Sequence, residues 1–252
     1  MKKILFLTLL MLAAVSAPLP ADVTGKTFIN GIDANFPPFA FVGRDGQASG
    51  FDIDAVNWIA QRFGFTVKHQ PMEWDSIVTS LKDKKIHLIA SGLSVTEERA
   101  AQIAFSKPYW SVDQLILVRR DSQLTAEEVL TGGLKIAVQQ GTSEAKAMED
   151  SNGKDGRNYV LSSYSSPEAA ASDVVNGRMA AAVMNDAPAV EAMKHLAVKA
   201  VGQAGIPSEL FAYGVNKEDE ELLAVLNEGL ELLMQDPYWK TLQEKYKPGA
   251  AQ

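Results

Sequence analysis

Three stretches of the sequence place small or turn-forming residues between an apolar run and a helical pattern: ASGLSVTEER at 90–99, VQQGTSEAK at 138–146 and MNDAPAVEA at 184–192. Arg99 can form a bidentate pair with a carboxylate. The backbone N–H groups of the second stretch can bind an anion at a helix start, and Asp186 can accept hydrogen bonds from a cation. Together these groups could bind the two charged ends of an α-amino acid.

Each of these features also has an ordinary structural explanation. An arginine in the first turn of a helix is commonly solvated, and a Gly-Thr-Ser helix start is commonly a cap. Asp186, which precedes Ala-Pro, could likewise be an N-cap. The combination of an anion site and a cation acceptor is what favours a ligand-binding function.

Motifs of other chemistry are missing from the sequence. It contains no phosphate loop, no G-x-G-x-x-G and no G-x-S-x-G pattern. The three histidines lack metal-ligand spacing, and carboxylate pairs such as Asp52/Asp54 and Glu97/Glu98 are common on helices. The sequence therefore predicts no catalytic residue, no metal and no cofactor.

The first hundred residues alternate between strand and helix patterns. A strand is predicted at Thr27–Asp33, followed by a helix that begins near Phe51 and has Gly64 at its C-cap. A short strand, an amphipathic helix from Trp74 to Lys85 and a buried strand at 86–91 come next. This alternation is typical of an α/β fold with a mostly parallel sheet.

The same alternation returns in the second half of the chain, at 134–149 and 165–195. Two strand-like segments, Trp110–Arg120 and Glu209–Lys217, are candidates for crossings between two lobes. A long apolar stripe near the C-terminus predicts a helix that ends before Asp236-Pro237.

Residues 1–21 have the pattern of a secretory signal peptide, with Lys2 and Lys3 before an apolar run and possible cleavage after Ala17 or Ala21. Removal of the two lysines takes the formal net charge from −7 to −9. Such acidity argues against nucleic acid as a partner. The chain contains no cysteine, so we expect neither disulfides nor a cysteine lipid anchor. We expect a periplasmic protein.

Several longer stretches, in fixed order, resemble the bacterial periplasmic polar-amino-acid-binding proteins of ABC importers, which are solute-binding proteins of family 3. They are GIDANFPPFAF, GFDIDAVNWIAQRFG, WDSIVTSLKDKKIHLIASGLSVTEERAAQIAFSKPYW, LKIAVQQGTSEA, NGRMAAAVMNDAPA, FAYGVNKEDEELLAVLNEGL and YWKTLQEKY. The resemblance implies a two-lobed periplasmic-binding-protein fold, each lobe a mostly parallel sheet flanked by helices.

The resemblance also implies roles for individual residues. Arg99 corresponds to the arginine that binds the ligand α-carboxylate, with Gly141 and Thr142 completing that site from the second lobe. Asp186 corresponds to the aspartate that binds the α-ammonium group. Gly92 and Ser94 correspond to residues that contact both charged ends.

Three further residues would surround the ligand side chain. Phe36 and Trp74 correspond to aromatic rings on either side of it, although both could instead be ordinary core residues. A flat aromatic wall suits an aliphatic stem or a guanidinium group. Asp33 corresponds to a residue that contacts a polar side-chain end, which favours arginine, lysine, ornithine, histidine or glutamine. Gln139 lies at a position that varies with ligand class.

We therefore predict one lobe from residues 24–110 and 211–252, and a second from 111–210. The two segments between them would form a hinge, and a monomer would close around an amino acid and deliver it to a membrane permease. Two alternatives remain open: a periplasmic enzyme on the same fold, such as a cyclohexadienyl dehydratase, and a sensor module that presents the amino acid to a receptor.

Overall fold

The computed structural model describes residues 23–247, so the predicted signal peptide at 1–21 lies outside the described residues. The strands are β1 (Thr27–Ile32), β2 (Asn35–Phe36), β3 (Ala40–Val42), β4 (Ala48–Ser49), β5 (Thr66–Pro71), β6 (Leu88–Ile89), β7 (Ala104–Phe105), β8 (Trp110–Val112), β9 (Gln114–Arg119), β10 (Leu134–Gln139), β11 (Tyr159–Tyr164), β12 (Ala181–Asn185), β13 (Val198–Gln203), β14 (Glu209–Phe211) and β15 (Gly214–Val215). The helices are α1 (Phe51–Phe63), α2 (Ile77–Lys82), α3 (Glu97–Ala100), α4 (Ala126–Thr131), α5 (Ser143–Ser151), α6 (Pro167–Val175), α7 (Asp186–His195), α8 (Glu220–Gln235) and α9 (Pro237–Lys245).

Two five-stranded sheets form the centre of the fold. The first has the order β5-β1-β6-β15-β7 and the second the order β11-β10-β12-β9-β13. In the first sheet β1 is parallel to β5 and β6, and β15 is antiparallel to both of its neighbours. In the second, β10 is parallel to β11 and β12, and β9 is antiparallel to both of its neighbours. Four of the five strands in each sheet therefore run in one direction, which confirms the predicted fold class.

The reversed strand of each sheet lies in one of the two segments predicted to cross between lobes. β9 belongs to Trp110–Arg120 and β15 belongs to Glu209–Lys217. Beside them, β8 and β14 pair as a two-stranded antiparallel ribbon between the sheets. The chain thus passes from the first sheet to the second through β8, and returns through β14.

Helix boundaries follow the capping chemistry of the sequence. Gly64 takes the left-handed conformation, with φ of 74°, and ends α1 as predicted. Pro167 is in the first turn of α6, where its missing N–H costs nothing, and Ser166 caps that helix by accepting from the Ala169 N–H. The predicted helix from Trp74 is shorter than expected, because residues 74–76 form a 3₁₀ turn and α2 ends at Lys82.

The apolar side chains form separate cores around the two sheets. The largest cluster joins α1, the first sheet and the C-terminal helices. It includes the predicted stripe of α8, whose members Leu222, Val225, Leu226, Leu230 and Leu233 are all buried. The second sheet has one cluster on each face, as expected for a sheet covered by helices on both sides.

Candidate ligand-binding site

Polar residues from the ends of four strands meet between the two sheets. In the first sheet, Asp33 follows β1, and Ser91 with its neighbours follows β6. In the second sheet, β10 ends at Gln139 and β12 ends at Asn185. The carboxyl ends of strands in α/β sheets are the usual place for a ligand crevice, so this edge is the candidate site.

A small cavity lies between the strand ends, and we call it the cleft cavity. Its first-sheet wall consists of Phe36, Trp74, Ser91, Gly92, Ser94 and Arg99. Its second-sheet wall consists of Gln139, Thr142, Ser143, Glu144 and Asn185. The space is about 10 Å³, roughly the room that one water molecule needs. A larger groove of about 990 Å³, which we call the outer groove, is also lined by Trp74, Arg99 and Thr142.

Six of the nine residues predicted to bind ligand line the cleft cavity. They are Phe36, Trp74, Gly92, Ser94, Arg99 and Thr142. Gly141 lies in the outer groove, next to Thr142. Asp33 and Asp186 are not in the wall of the cavity, but each is directly beside a residue that is. The roles of all nine remain predictions.

Arg99 is turned inward from the first turn of α3. Thr96 caps this helix and accepts from the Arg99 N–H at 3.2 Å. The side chain is only 8% exposed. Its Nη1 donates to the Ser94 carbonyl at 3.0 Å and its Nη2 to the Gly141 carbonyl at 3.1 Å, while the guanidinium carbon lies 5.6 Å from the centroid of the Trp74 ring. A cation in this position is directed at the cavity and away from bulk solvent.

Burial lowers the pKa of Arg99, and the negative charges of Glu144, Glu209 and Glu98 oppose that shift. The guanidinium stays protonated in a protein at neutral pH. Arg99 therefore brings a fixed positive charge to the cavity, and a carboxylate is the natural partner for it.

Gly92 is held in place by a buried carboxylate. Asp52 Oδ2 accepts from the Gly92 N–H at 2.6 Å. Gly92 has φ of +62°, and a Cβ added there would lie 2.5 Å from Cε1 of Phe36. Both the backbone conformation and the aromatic ring therefore require glycine.

Asp52 and Tyr109 lie behind the cavity wall, and sequence reasoning did not single them out as functional. Burial raises the pKa of Asp52 to about 7, against the lowering effect of the nearby Tyr109 hydroxyl and of the hydrogen bond from the Gly92 backbone. A fully buried aspartate next to a buried tyrosine could not be recognised from a pattern as common as Asp-x-Asp on a helix.

Gly141 and Thr142 form the turn that leads into α5. The Thr142 hydroxyl donates to the Gln139 carbonyl at 2.8 Å and accepts from the Ala145 N–H at 3.2 Å. Gly141 has φ of +76°, and a Cβ there would lie 2.6 Å from the Cα of Asp75. The turn therefore approaches the opposite wall more closely than any residue with a side chain could.

Asp33 bridges the two walls through Gln139. Its Oδ2 accepts from the Gln139 Nε2 at 2.6 Å, and its Oδ1 accepts from the Asn35 N–H at 2.9 Å. Burial raises the pKa of Asp33, and these two hydrogen bonds lower it. Gln139 thus covers Asp33 on the cavity side, and a ligand that contacts Asp33 must displace the Gln139 amide.

Asp186 is the first residue of α7, and Asn185 rather than Asp186 is the N-cap. Asn185 Nδ2 and Asp186 Oδ1 are both buried, and neither has a hydrogen-bond partner within residues 23–247. Burial raises the pKa of Asp186. An unpaired buried amide and carboxylate oxygen beside the cavity are groups that a ligand could satisfy, since leaving them unpaired costs free energy.

Glu144 is the member of the second-sheet wall that the sequence did not single out. It is 2% exposed in the first turn of α5. Burial raises its pKa to about 7; the charge of Glu209 raises it further, while its own backbone N–H, Arg99 and Thr142 lower it. The sequence signal was an acid two residues after the Thr142 cap, which is also the ordinary pattern of a helix start.

The fold places a cavity lined by polar and aromatic side chains between two sheets, an arrangement typical of proteins that bind small molecules. The family model for bacterial extracellular solute-binding proteins, family 3, matches residues 28–249. The chain belongs to this family.

Individual relatives agree in fold and in length. The chain is 32% identical over 254 residues to the lysine/arginine/ornithine-binding periplasmic protein of Escherichia coli K12, covering 97% of this chain and 96% of the relative. The structure is similar to an ABC uptake transporter substrate-binding protein from Streptococcus pneumoniae with bound histidine, with a TM-score of 0.81 and 28% identity over 90% of this chain and 95% of the other. It is also similar to an ancestral amino acid-binding protein described as a precursor of cyclohexadienyl dehydratase, with a TM-score of 0.79 and 32% identity over 87% of this chain and 95% of the other.

No helix in the described part of the chain is both long and apolar enough to cross a bilayer. Among residues 23–247, no group of three or more histidines, aspartates or glutamates is arranged to hold a metal ion.

Proposed function

We propose that this chain is the periplasmic substrate-binding component of an ABC importer and binds a polar L-amino acid, with a basic side chain favoured. The observation that carries this proposal is the inward-facing, buried Arg99 in a cavity walled by Phe36 and Trp74. The guanidinium supplies a partner for an α-carboxylate, and the rings supply flat apolar surface for a side chain. The basic ligands of the Escherichia coli relative support the same class of ligand.

The two ends of the ligand would then be bound by different elements. Arg99, Ser94 and the Gly141–Thr142 turn take the carboxylate, and Asp186 takes the ammonium group. Asp33 takes the polar end of the side chain after Gln139 moves aside. Because these groups come from both sheets, binding favours the conformation in which the walls are close together.

The small size of the cleft cavity supports motion between the walls. A space of about 10 Å³ does not admit an amino acid, whereas ligand sites measure roughly 300–1,000 Å³. We infer lobes at residues 24–110 with 211–252, and at 111–210, which rotate about the β8 and β14 ribbon. In the closed form a monomer would dock on the membrane permease.

The direct test is binding. Thermal shift and calorimetry with the twenty amino acids, ornithine and cystine are expected to show stabilisation by a basic amino acid. A protein that no amino acid stabilises would contradict the proposal.

An enzyme on the same fold is the second candidate, and one observation favours it. Glu144 is a buried carboxyl with a pKa of about 7, which is a suitable value for a general acid, and a structural neighbour is a precursor of a dehydratase. Incubation with prephenate and arogenate distinguishes the two candidates, since an importer component leaves both compounds unchanged.

A further inference from the structure

Glu144 is a buried acid that the proposed contacts leave without a role. It lines the cleft cavity together with Arg99, Gln139 and the two aromatic residues. Its side chain forms no ion pair within the described residues, because Arg99 directs its Nη atoms to the carbonyls of Ser94 and Gly141. The negative charge of Glu209 also acts on it. The carboxyl group of Glu144 in the cavity wall therefore favours the binding of a cation.

The balance of charges around the cavity supports this reading. Arg99 is the one cation among the cavity-lining residues, and it is opposed by Glu144 in the wall and by Asp33 and Asp186 directly behind it. A neutral amino acid brings no net charge and leaves the acids in excess. A basic amino acid brings one positive charge, and a buried charge requires a partner.

We propose that Glu144 is a specificity-determining residue that, together with Asp33, selects ligands with a cationic side chain. This inference rests on the proposed function, because it assigns the side-chain preference of the same site. Asp33 follows β1 in the first sheet and Glu144 lies in the first turn of α5 beside the second, so the two acids approach the ligand from opposite walls. A cationic side chain is held on both sides only when the walls are close together.

The structural alternative is that Glu144 only complements the dipole of α5. The two readings differ in what the isosteric variant Glu144→Gln changes. A dipole role predicts an altered melting temperature with unchanged ligand preference. A specificity role predicts an altered ratio of affinities for cationic and neutral ligands.

The experiment is calorimetry of wild type, Glu144→Gln and Glu149→Gln with L-arginine and L-glutamine, of which only arginine carries a charged side chain. Glu149 is exposed on the same helix and is the matched control. We expect Glu144→Gln to weaken arginine binding by about tenfold or more and to leave glutamine binding nearly unchanged. The Glu149→Gln variant retains the wild-type ratio.

Equal changes for both ligands, or no change for either, would overturn the role of Glu144 while leaving the proposed function intact. Failure of the wild type to bind any amino acid would instead overturn the proposed function and this inference with it. The two failures are therefore distinguishable in one set of titrations.

A second measurement uses the wild type alone and so does not depend on the folding of a variant. The charged groups that act on Glu144 are Glu209 of β14 and Arg99 of α3, and Lys146 of its own helix is paired with Asp150. A cation beside Glu144 lowers its pKa, so arginine binding at pH 7 releases protons. Calorimetry in phosphate and in Tris measures this release; arginine binding with none, or with proton uptake, would overturn the inference.

Discussion

The two walls of the cleft cavity carry different chemistry. The first-sheet wall contains the cation Arg99 and the aromatic side chains Phe36 and Trp74. The second-sheet wall contains Gln139, Glu144 and Asn185 together with two hydroxyl residues, and its lining includes no cation. The first wall thus suits a carboxylate and an apolar stem, and the second wall, apart from its Thr142 turn beside the carboxylate site, suits donors and cations. An amino acid with a basic side chain matches both walls at once.

The walls also differ in how firmly their groups are held. Asp52 holds the Gly92 N–H, Ser94 accepts from Arg99, and Ser91 accepts from the Asp33 N–H. In the second wall, Asn185 Nδ2 and the neighbouring Asp186 Oδ1 are buried without partners in the described chain, whereas in the first wall only the Trp74 indole Nε1 among the lining side chains is in that state. We infer that the first wall is prearranged for the carboxylate and that the second completes its hydrogen bonds when the ligand is present.

The largest expected effect comes from the first wall. Arg99→Ala is expected to cost about 2–5 kcal/mol of ligand affinity, because the ligand carboxylate would be buried without its charged partner. Arg99→Lys is the control, because it keeps the charge but loses the bidentate geometry. Its ligand affinity should lie between that of the wild type and that of Arg99→Ala. Calorimetry measures both. Near-native affinity in Arg99→Ala would show that the carboxylate lies elsewhere.

A second large effect is expected at the second wall. Asp186→Asn removes the charged acceptor proposed for the ammonium group. It should weaken the binding of every α-amino acid by about 1.5–3 kcal/mol. The side chain keeps its size, so the melting temperature without ligand should hardly fall. An affinity loss confined to one kind of ligand side chain would contradict an ammonium contact.

Asp33→Ala tests the link between the walls. It removes both the acceptor for a polar side-chain end and the 2.6 Å hydrogen bond to Gln139. We expect roughly 1–3 kcal/mol of lost affinity for arginine or lysine, and little loss for small neutral amino acids. Competition binding with alanine and arginine measures the difference, and an equal loss for both would remove the argument for a cationic side chain.

The smallest effect concerns the support of the first wall. Burial raises the pKa of Asp52 from 3.8 to about 7. Between these two pH values, Asp52 is protonated in the folded state and ionised in the unfolded state. The contribution of Asp52 to stability therefore falls as pH rises from about 4 to about 7 and is constant above that.

Asp52→Asn removes this dependence and retains an acceptor for the Gly92 N–H. The melting temperature of Asp52→Asn minus that of the wild type should therefore be higher at pH 8 than at pH 5. Thermal unfolding at both pH values checks this result. The same difference between the two proteins at pH 5 and pH 8 would contradict a raised pKa for Asp52.

Much of the site could be predicted because it depends on local pattern. Strand-turn-helix junctions at Gly92, Gly141 and Asn185 were visible in the sequence, and so was the position of Arg99 in the first turn of a helix. Glycine at positions 92 and 141 is now explained by the approach of Phe36 and Asp75, which no local pattern reveals.

The remaining features depend on contacts between distant parts of the chain. The Gln139–Asp33 hydrogen bond joins residues 106 positions apart. Glu144 has the sequence signature of any helix start, and its burial comes from the opposite wall. In the sequence, Asp52 has the pattern of a solvated acid in the first turn of a helix. Its burial is evident only from the packing of α1 behind Gly92.

The central claim is that Arg99 recognises the carboxylate of a basic amino acid in the cleft. The most direct measurement is calorimetry of the ligand-free protein with L-arginine and with agmatine, which has the same guanidinium end and ammonium group but no carboxylate. The account predicts tight binding of arginine and a loss of about 2–5 kcal/mol for agmatine, with Arg99→Ala reducing that difference. Equal binding of the two compounds to the wild type would contradict the claim.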